Sequence, residues 1–274
     1  MSLPYRRRLA ELVAGRGRIC VGVDPHENLV RAWGYDFDAD GVERVARTLV
    51  DVLGPEVPVF KPQAAFFECH GPAGMAALGR VLGDIAQAGA LSLLDVKRGD
   101  IGSTMSAYAR AYLSDDAVLA ADAITVSPYL GFGSLAPAIE LAHQTGRGIY
   151  VLCRTSNPEG AGLQSAREES GRSVAQAVVD AARETNEASG QDAVGLVIGA
   201  TLETLDLDLD GFAGSILAPG IGSQGGSVAQ LGRLFGRAAE HVLPSASRQV
   251  MKAGPDANAL RTALDMLKGV PTGA

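Results

Sequence analysis

The chain has 274 residues, 47% of them hydrophobic, and a formal net charge of −7. That length and apolar share can bury a large core, while the acidic balance speaks against a general nucleic-acid or anionic-membrane binder and leaves room for one small cationic pocket. No apolar run reaches the roughly 18 residues of a membrane span, and "MSLPYRRRLAEL" at the N-terminus has no apolar signal core, so a soluble cytoplasmic protein with neither nucleic-acid nor membrane partners is expected.

In chain order, the first predicted strand is RICVGVD (18–24), closed by Asp24. A segment of helical period, VERVARTLVDVL (42–53), leads to a second strand, PVFKP (58–62), with Lys61 inside it. The helical AGMAALGRVLGDIAQAG (73–89) precedes a third strand, LSLLDVK (91–97). Its Asp95 and Lys97 are two apart and point the same way, while Asp100 falls in the turn beyond. Then come a helix, TMSAYARAYL (104–113), a fourth strand, AITVS (123–127), closed by Ser127, a helix, SLAPAIELAHQ (134–144), and a fifth strand, GIYVLCR (148–154). The helical SVAQAVVDAARETNEA (173–188) is followed by the sixth strand, AVGLVIG (193–199), and the seventh, SILAPG (215–220). A last helix, VAQLGRLFGRAAEHV (228–242), leads to SRQVM (247–251), read as an eighth strand carrying Arg248. Two connections are long, 25–57 and 155–172, and the alternating LDLDLDG at 205–211 reads as a solvated connection before strand seven.

Near-continuous apolar strands alternating with helices imply a parallel sheet covered by helices, and eight such units in about 250 residues is the size of a (β/α)8 barrel. No Pro- or Ser-rich linker divides the chain, so a single domain over 1–274 is expected. A doubly wound open sheet would want a Gly-x-Gly-x-x-Gly turn after the first strand, and GVDPHENL offers none. Barrel enzymes recruit chemistry from the C-terminal ends of their strands. Charges gather there in this chain: Asp24, Lys61, Asp95, Lys97 and, in the assumed eighth strand, Arg248. Lys61 within an apolar strand needs a carboxylate beside it, because an unpaired buried ammonium is costly. An alternating Lys-Asp-Lys-Asp array results, able to hold a lysine charged against a substrate; taken alone, the Asp-x-Lys-x-x-Asp spacing is equally that of a structural ion pair.

A second cluster, APGIGSQGGS (218–227), follows strand seven. Its glycines free backbone N–H groups for an anion, and barrels often bind phosphate after strands seven and eight. Gln224 and Arg248 would serve such a ligand, with Arg154, Arg233 and Arg237 as competing cations; a flexible Gly-rich turn is the plain alternative. Cys20, Cys69 and Cys153 have no metal-like spacing and read as reduced thiols, and the four scattered histidines suggest no zinc site.

These residues resemble the orotidine 5′-phosphate decarboxylase family in its longer bacterial form. The resemblance runs through VGVDP, FKPQAAFFE, LLDVKRGDIGST, TVSPYLG, TSNPEG and APGIGSQGG, in the family's order. It implies a cofactor-free homodimeric barrel that converts orotidine 5′-monophosphate to uridine 5′-monophosphate and carbon dioxide. It further implies Asp24 and Lys61 as ribose contacts, Asp95 facing the substrate carboxylate, and Lys97 stabilising and protonating the C6 carbanion. Asp100, Ile101 and Thr104 resemble the segment that crosses into the partner's site. Ser127 and Gln224 resemble the pyrimidine-edge and closing-loop residues, and Arg248 the phosphate arginine. The alternatives are a metal-dependent sugar-phosphate decarboxylase or aldolase on the same barrel, disfavoured by a cation at Lys61 where those relatives carry an acid, and a non-catalytic nucleotide-phosphate binding barrel.

Overall fold

Eight short strands, almost every residue of them buried, pair in parallel and in sequence order, and the eighth closes on the first. The computed structural model describes residues 3–221 and 228–269. The strands are β1 (Cys20–Val23), β2 (Val59–Pro62), β3 (Leu91–Arg98), β4 (Ala123–Val126), β5 (Gly148–Arg154), β6 (Val194–Ile198), β7 (Ile216–Pro219) and β8 (Val242–Ala246). The helices, in chain order, are α1 (Tyr5–Arg16), α2 (Glu27–Ala32), α3 (Ala39–Leu53), α4 (Ala65–Glu68), α5 (Gly71–Gln87), α6 (Gly102–Leu113), α7 (Ala136–Thr145), α8 (Pro158–Gln164), α9 (Val174–Ser189), α10 (Val228–Phe235), α11 (Arg248–Met251) and α12 (Ala257–Lys268). Caps set several of these boundaries. The Asp38, Ser173 and Asp256 side chains accept the N–H of Gly41, Gln176 and Ala259 at the starts of α3, α9 and α12, each satisfying one orphan donor. The architecture is the expected (β/α)8 barrel.

The eighth strand is not where the sequence suggested. SRQVM at 247–251 forms α11 with its N-terminal flank, and the strand is the preceding VLPSA. Pro244 disguised it, since proline removes a ladder donor and is confined to positions where none is needed. Here the carbonyl of Ser245 faces β7, accepting the N–H of Ile221 at 3.3 Å. Backbone groups alternate along a strand, so Pro244 turns its nitrogen toward β1, where pairing begins only at Ser245. Arg248 therefore lies on the turn of helix that follows the strand. The Leu-Asp alternation at 205–211 is solvated on its aspartate side only: Leu209 is buried, and Leu205 and Leu207 pack against the outer core.

Two apolar layers result from the period-2 alternation of the strands. Outward residues join the surrounding helices in one large core. Inward residues, among them Cys20, Val59, Leu93, Ala123, Tyr150, Leu217 and Leu243, cluster with Tyr5 and Leu9 of α1 and fill the lower barrel. Helix α1, for which the sequence analysis had no expectation, is thus a plug. The Tyr5 and Tyr150 hydroxyls lie 3.1 Å apart with the rings edge to face. Only glycine fits beneath it at 148, where a Cβ would stand 2.6 Å from the Tyr5 ring. The upper barrel is left for other residues.

Candidate active site

One step above the plug, the same inward positions turn polar. Val59 gives way to Lys61 and Gln63, Leu93 to Asp95 and Lys97, Ala123 to Thr125, and Leu243 to Ser245. These side chains, with Asp24 and Arg248, line a cavity of about 310 Å³ at the C-terminal ends of the strands. The period that packs the core therefore also delivers the site.

Asp95 is the hub. Its Oδ1 accepts from Lys97 Nζ at 2.6 Å and from the Thr125 hydroxyl at 2.7 Å. Its Oδ2 accepts from Lys61 Nζ and from the Gln63 amide, each at 3.1 Å. Lys61 Nζ also stands 3.7 Å from Asp24 Oδ1, a buried oxygen with no hydrogen-bond partner among the described residues. The chain of charges is Asp24, Lys61, Asp95, Lys97, as the alternation implied. The two lysines differ in access: the Lys61 side chain is 7% exposed and that of Lys97 46%, so Lys97 is the one presented to the cavity mouth.

The electrostatics follow from this contact set. Burial alone would push the Asp95 carboxyl up, but Lys61, Lys97 and the Thr125 hydroxyl outweigh it and hold the carboxyl well below the usual carboxylate range. Burial would likewise lower Lys61, yet the carboxylates of Asp24 and Asp95 hold its ammonium above the usual lysine value. Both are charged at neutral pH. Below them, burial pushes the Cys20 thiol up to about 12, and that of Cys153 likewise to about 12, so neither is a ready nucleophile.

Lys97 carries a backbone feature absent from the sequence reading. Its φ is +45°, in the left-handed region that side chains with a Cβ rarely occupy. Leu94 pairs with Ile124 and Arg98 with Val126, so β3 spends four residues where β4 spends two. This bulge re-aims the side chain.

Not every expected residue joins the cavity. Asp100, Ile101 and Thr104 lie beyond β3 at the start of α6, outside its lining; Ile101 and Thr104 are exposed, and the Asp100 carboxylate accepts the N–H of Ile101. Ser127 is also outside, its N–H donated to the Arg98 carbonyl at 2.8 Å. Instead Thr155, Ser156 and Asn157, at the end of β5, line the cavity. Gly199 admits them, since a Cβ there would lie 2.8 Å from Ser156 Cβ and N. Ser156 sits in the quoted TSNPEG segment, and the signal that could have found it is its position just past a strand end. Of the four arginines considered, Arg248 lines the cavity. Arg154 is turned to the Thr155 carbonyl and Gln164, and Arg233 and Arg237 line other depressions. Gln224 lies outside the described residues. Among the described residues no group of three or more His, Cys, Asp or Glu is placed to hold a metal ion.

A model of the orotidine 5′-phosphate decarboxylase / HUMPS family matches residues 17–263. A relative named orotidine 5′-phosphate decarboxylase from Salinispora arenicola is 52% identical over 95% of this chain and 94% of its own length. Another of that name, from Streptomyces coelicolor, is 48% identical over 96% of this chain and 95% of its own. A crystal structure under the same enzyme name, from Streptomyces avermitilis, superposes with a TM-score of 0.92 at 48% identity, covering 97% of this chain and 94% of that one.

Proposed function

The chain belongs to the orotidine 5′-phosphate decarboxylase / HUMPS family and decarboxylates orotidine 5′-monophosphate in pyrimidine synthesis, and on that premise we propose how its own residues divide the work. The observation that carries the reading is the array around Asp95, in which one buried lysine and one accessible lysine flank a carboxylate kept ionised.

Loss of carbon dioxide from C6 of the pyrimidine breaks the C6–carboxylate bond and leaves its electron pair localised on the ring carbon, with no electron sink. Preorganised positive charge must therefore meet that pair. Lys97 supplies it: as the pair develops, a Lys97 N–H bond breaks and the proton passes to C6, giving uridine 5′-monophosphate and a neutral amine that regains a proton from solvent. Asp95 faces the departing carboxylate and holds Lys97 in position. Lys61 keeps Asp95 ionised, and the unpartnered Asp24 Oδ1 is available to a ribose hydroxyl. Lys61 fills the space between Asp24 and Asp95 where a metal-using relative would need an acid, which supports the metal-free reading.

Arg248 takes the phosphate. Its bonds to a group remote from C6 supply binding energy that orients the reactive end. The pyrimidine edge falls to Ser156 rather than Ser127, because Ser156 lines the cavity. Asp100, part-buried, and the exposed Ile101 and Thr104 lie outside their own cavity and suit a segment that completes the site of a second copy in a homodimer. The setting is cytoplasmic; among the described residues no helix is long and apolar enough to cross a membrane.

The test is a spectrophotometric assay on orotidine 5′-monophosphate with and without EDTA. Undiminished turnover in chelator, abolished by Lys97→Ala while uridine 5′-monophosphate still binds, supports the reading. Activity of Lys97→Ala within about tenfold of wild type would remove Lys97 from the mechanism, since loss of such a charge contact costs on the order of 10²-fold or more.

A further inference from the structure

The β3 bulge withdraws the Lys97 amide from the sheet ladder, and that N–H has to find another acceptor or stay buried and unpaired. It donates to Thr125 Oγ1 at 3.0 Å. The same hydroxyl donates its own proton to Asp95 Oδ1 at 2.7 Å, the oxygen that also holds Lys97 Nζ. Thr125 is 1% exposed, an inward residue of β4 at the level where the interior turns polar. A single oxygen therefore accepts from the main chain of Lys97 and donates to the carboxylate that orients its side chain.

We propose that Thr125 is the positioning residue of this site: its hydroxyl holds Lys97 in its left-handed backbone conformation and aims the Lys97 ammonium into the cavity.

The chemistry asks for such a group. A left-handed φ at a residue with a Cβ persists only where the surroundings over-determine it, and the Lys97 N–H is held by a side chain rather than by a neighbouring strand's carbonyl. When Lys97 passes its proton to C6, its attraction to Asp95 weakens at that moment. The Thr125 hydroxyl carries no charge and keeps both Asp95 Oδ1 and the Lys97 amide in place through the step. Threonine suits the task because its hydroxyl can donate and accept at once, and its branched Cβ restricts χ1. Valine has the same shape and neither capacity. The inference rests on Lys97 being the proton donor of the proposed function.

The experiment compares Thr125→Val, Thr125→Ser and Lys97→Ala in steady-state kinetics on orotidine 5′-monophosphate, with binding of uridine 5′-monophosphate and thermal unfolding measured on each. Misplacing a reacting group by about 1 Å costs about 10²-fold. Thr125→Val should therefore lose about 10²-fold in kcat, with KM and product affinity within about threefold, while Thr125→Ser recovers to within about fivefold of wild type. A merely structural threonine would move stability and KM instead, without rescue by serine. If Thr125→Val does not fold, Thr125→Ala, which removes the hydroxyl without pressing a methyl on the carboxylate, must show the same split. The proposal is overturned if the variant lacking the hydroxyl keeps kcat within about fivefold, or loses kcat and ligand binding by the same factor. Full activity of Lys97→Ala would overturn the parent reading as well; an inactive Lys97→Ala beside a fully active Thr125→Val overturns this inference alone.

Discussion

The ammonium of Lys61 and the carboxylate of Asp95, on neighbouring strands, lie 3.1 Å apart with side chains 7% and 9% exposed. Removing either charge takes a direct partner from the other in a low-dielectric interior, although Lys97 would still hold Asp95 and Asp24 would still face Lys61. Lys61→Met should cost about 3 kcal/mol of stability, the lower end of the usual penalty for breaking a buried pair because Lys97, Thr125 and Gln63 still satisfy Asp95, measured by urea unfolding. The pH dependence has a definite sign. Asp95 is held below the usual carboxylate range, so its stabilising contribution is complete above about pH 4 and drains away as pH falls through its folded value. Lys61 is held above its usual value, so its contribution is complete below about pH 10.4 and is lost as pH rises through its folded value. The pair leaves stability flat between those limits, and Lys61→Met should abolish the alkaline decline that Lys61 contributes. Equal stability of wild type and variant at neutral pH would refute the strong coupling.

Arg248→Ala should raise KM for orotidine 5′-monophosphate by orders of magnitude and matter far less for orotidine, which lacks the phosphate. Equal losses on the two substrates would show that Arg248 acts on the fold around α11 instead.

The serines can be separated directly. Ser156→Ala should weaken binding of uridine 5′-monophosphate by about tenfold, the worth of one or two lost hydrogen bonds, whereas Ser127→Ala should leave it unchanged. Titration calorimetry reads both, and the reverse pattern would return the base contact to β4.

Lys97→Ala and Asp100→Asn should each be nearly inactive, yet recover activity when unfolded and refolded together. In a two-fold dimer a mixed pair gathers both lesions in one site and leaves the other intact. With random pairing, half the dimers are mixed and half their sites whole, so roughly a quarter of wild-type activity should return. Mixed dimers identified by mass but no more active than the average of the two mutants would place Asp100 in its own subunit's site.

Much of this was legible in the residues because one period served two purposes. Seven strands stood out as apolar runs, and the alternation that buries Val59 and Leu93 also predicts that Lys61, Asp95 and Lys97 share the interior. The failures have local causes. Pro244 broke the look of a strand in VLPSA, while SRQVM, with its valine and methionine, resembled one; Arg248 reached the cavity all the same because the turn after a barrel strand opens onto the same rim. Ser127 and Ser156 each lie just past a strand end, and only the spatial neighbours of β5 reveal that Ser156 is the one that lines the cavity. The left-handed conformation of Lys97 and the two hydrogen bonds of the Thr125 hydroxyl depend on a bulge between two strands, a pairing relationship that no single segment carries.

The plug formed by α1 has a consequence for how the chain is made. Tyr5 is synthesised 145 positions ahead of its partner Tyr150, and the inner cluster that seats the helix is complete only with Leu243 of β8. During synthesis the helix must therefore wait, its apolar face unsheltered, until nearly the whole barrel has left the ribosome. Such long sequence separations slow folding and prolong exposure to aggregation. A nascent chain arrested before Val242 should remain open at its base and be cut readily by protease, whereas a released chain that includes β8 should gain protection of α1 and of β8 in a single late step.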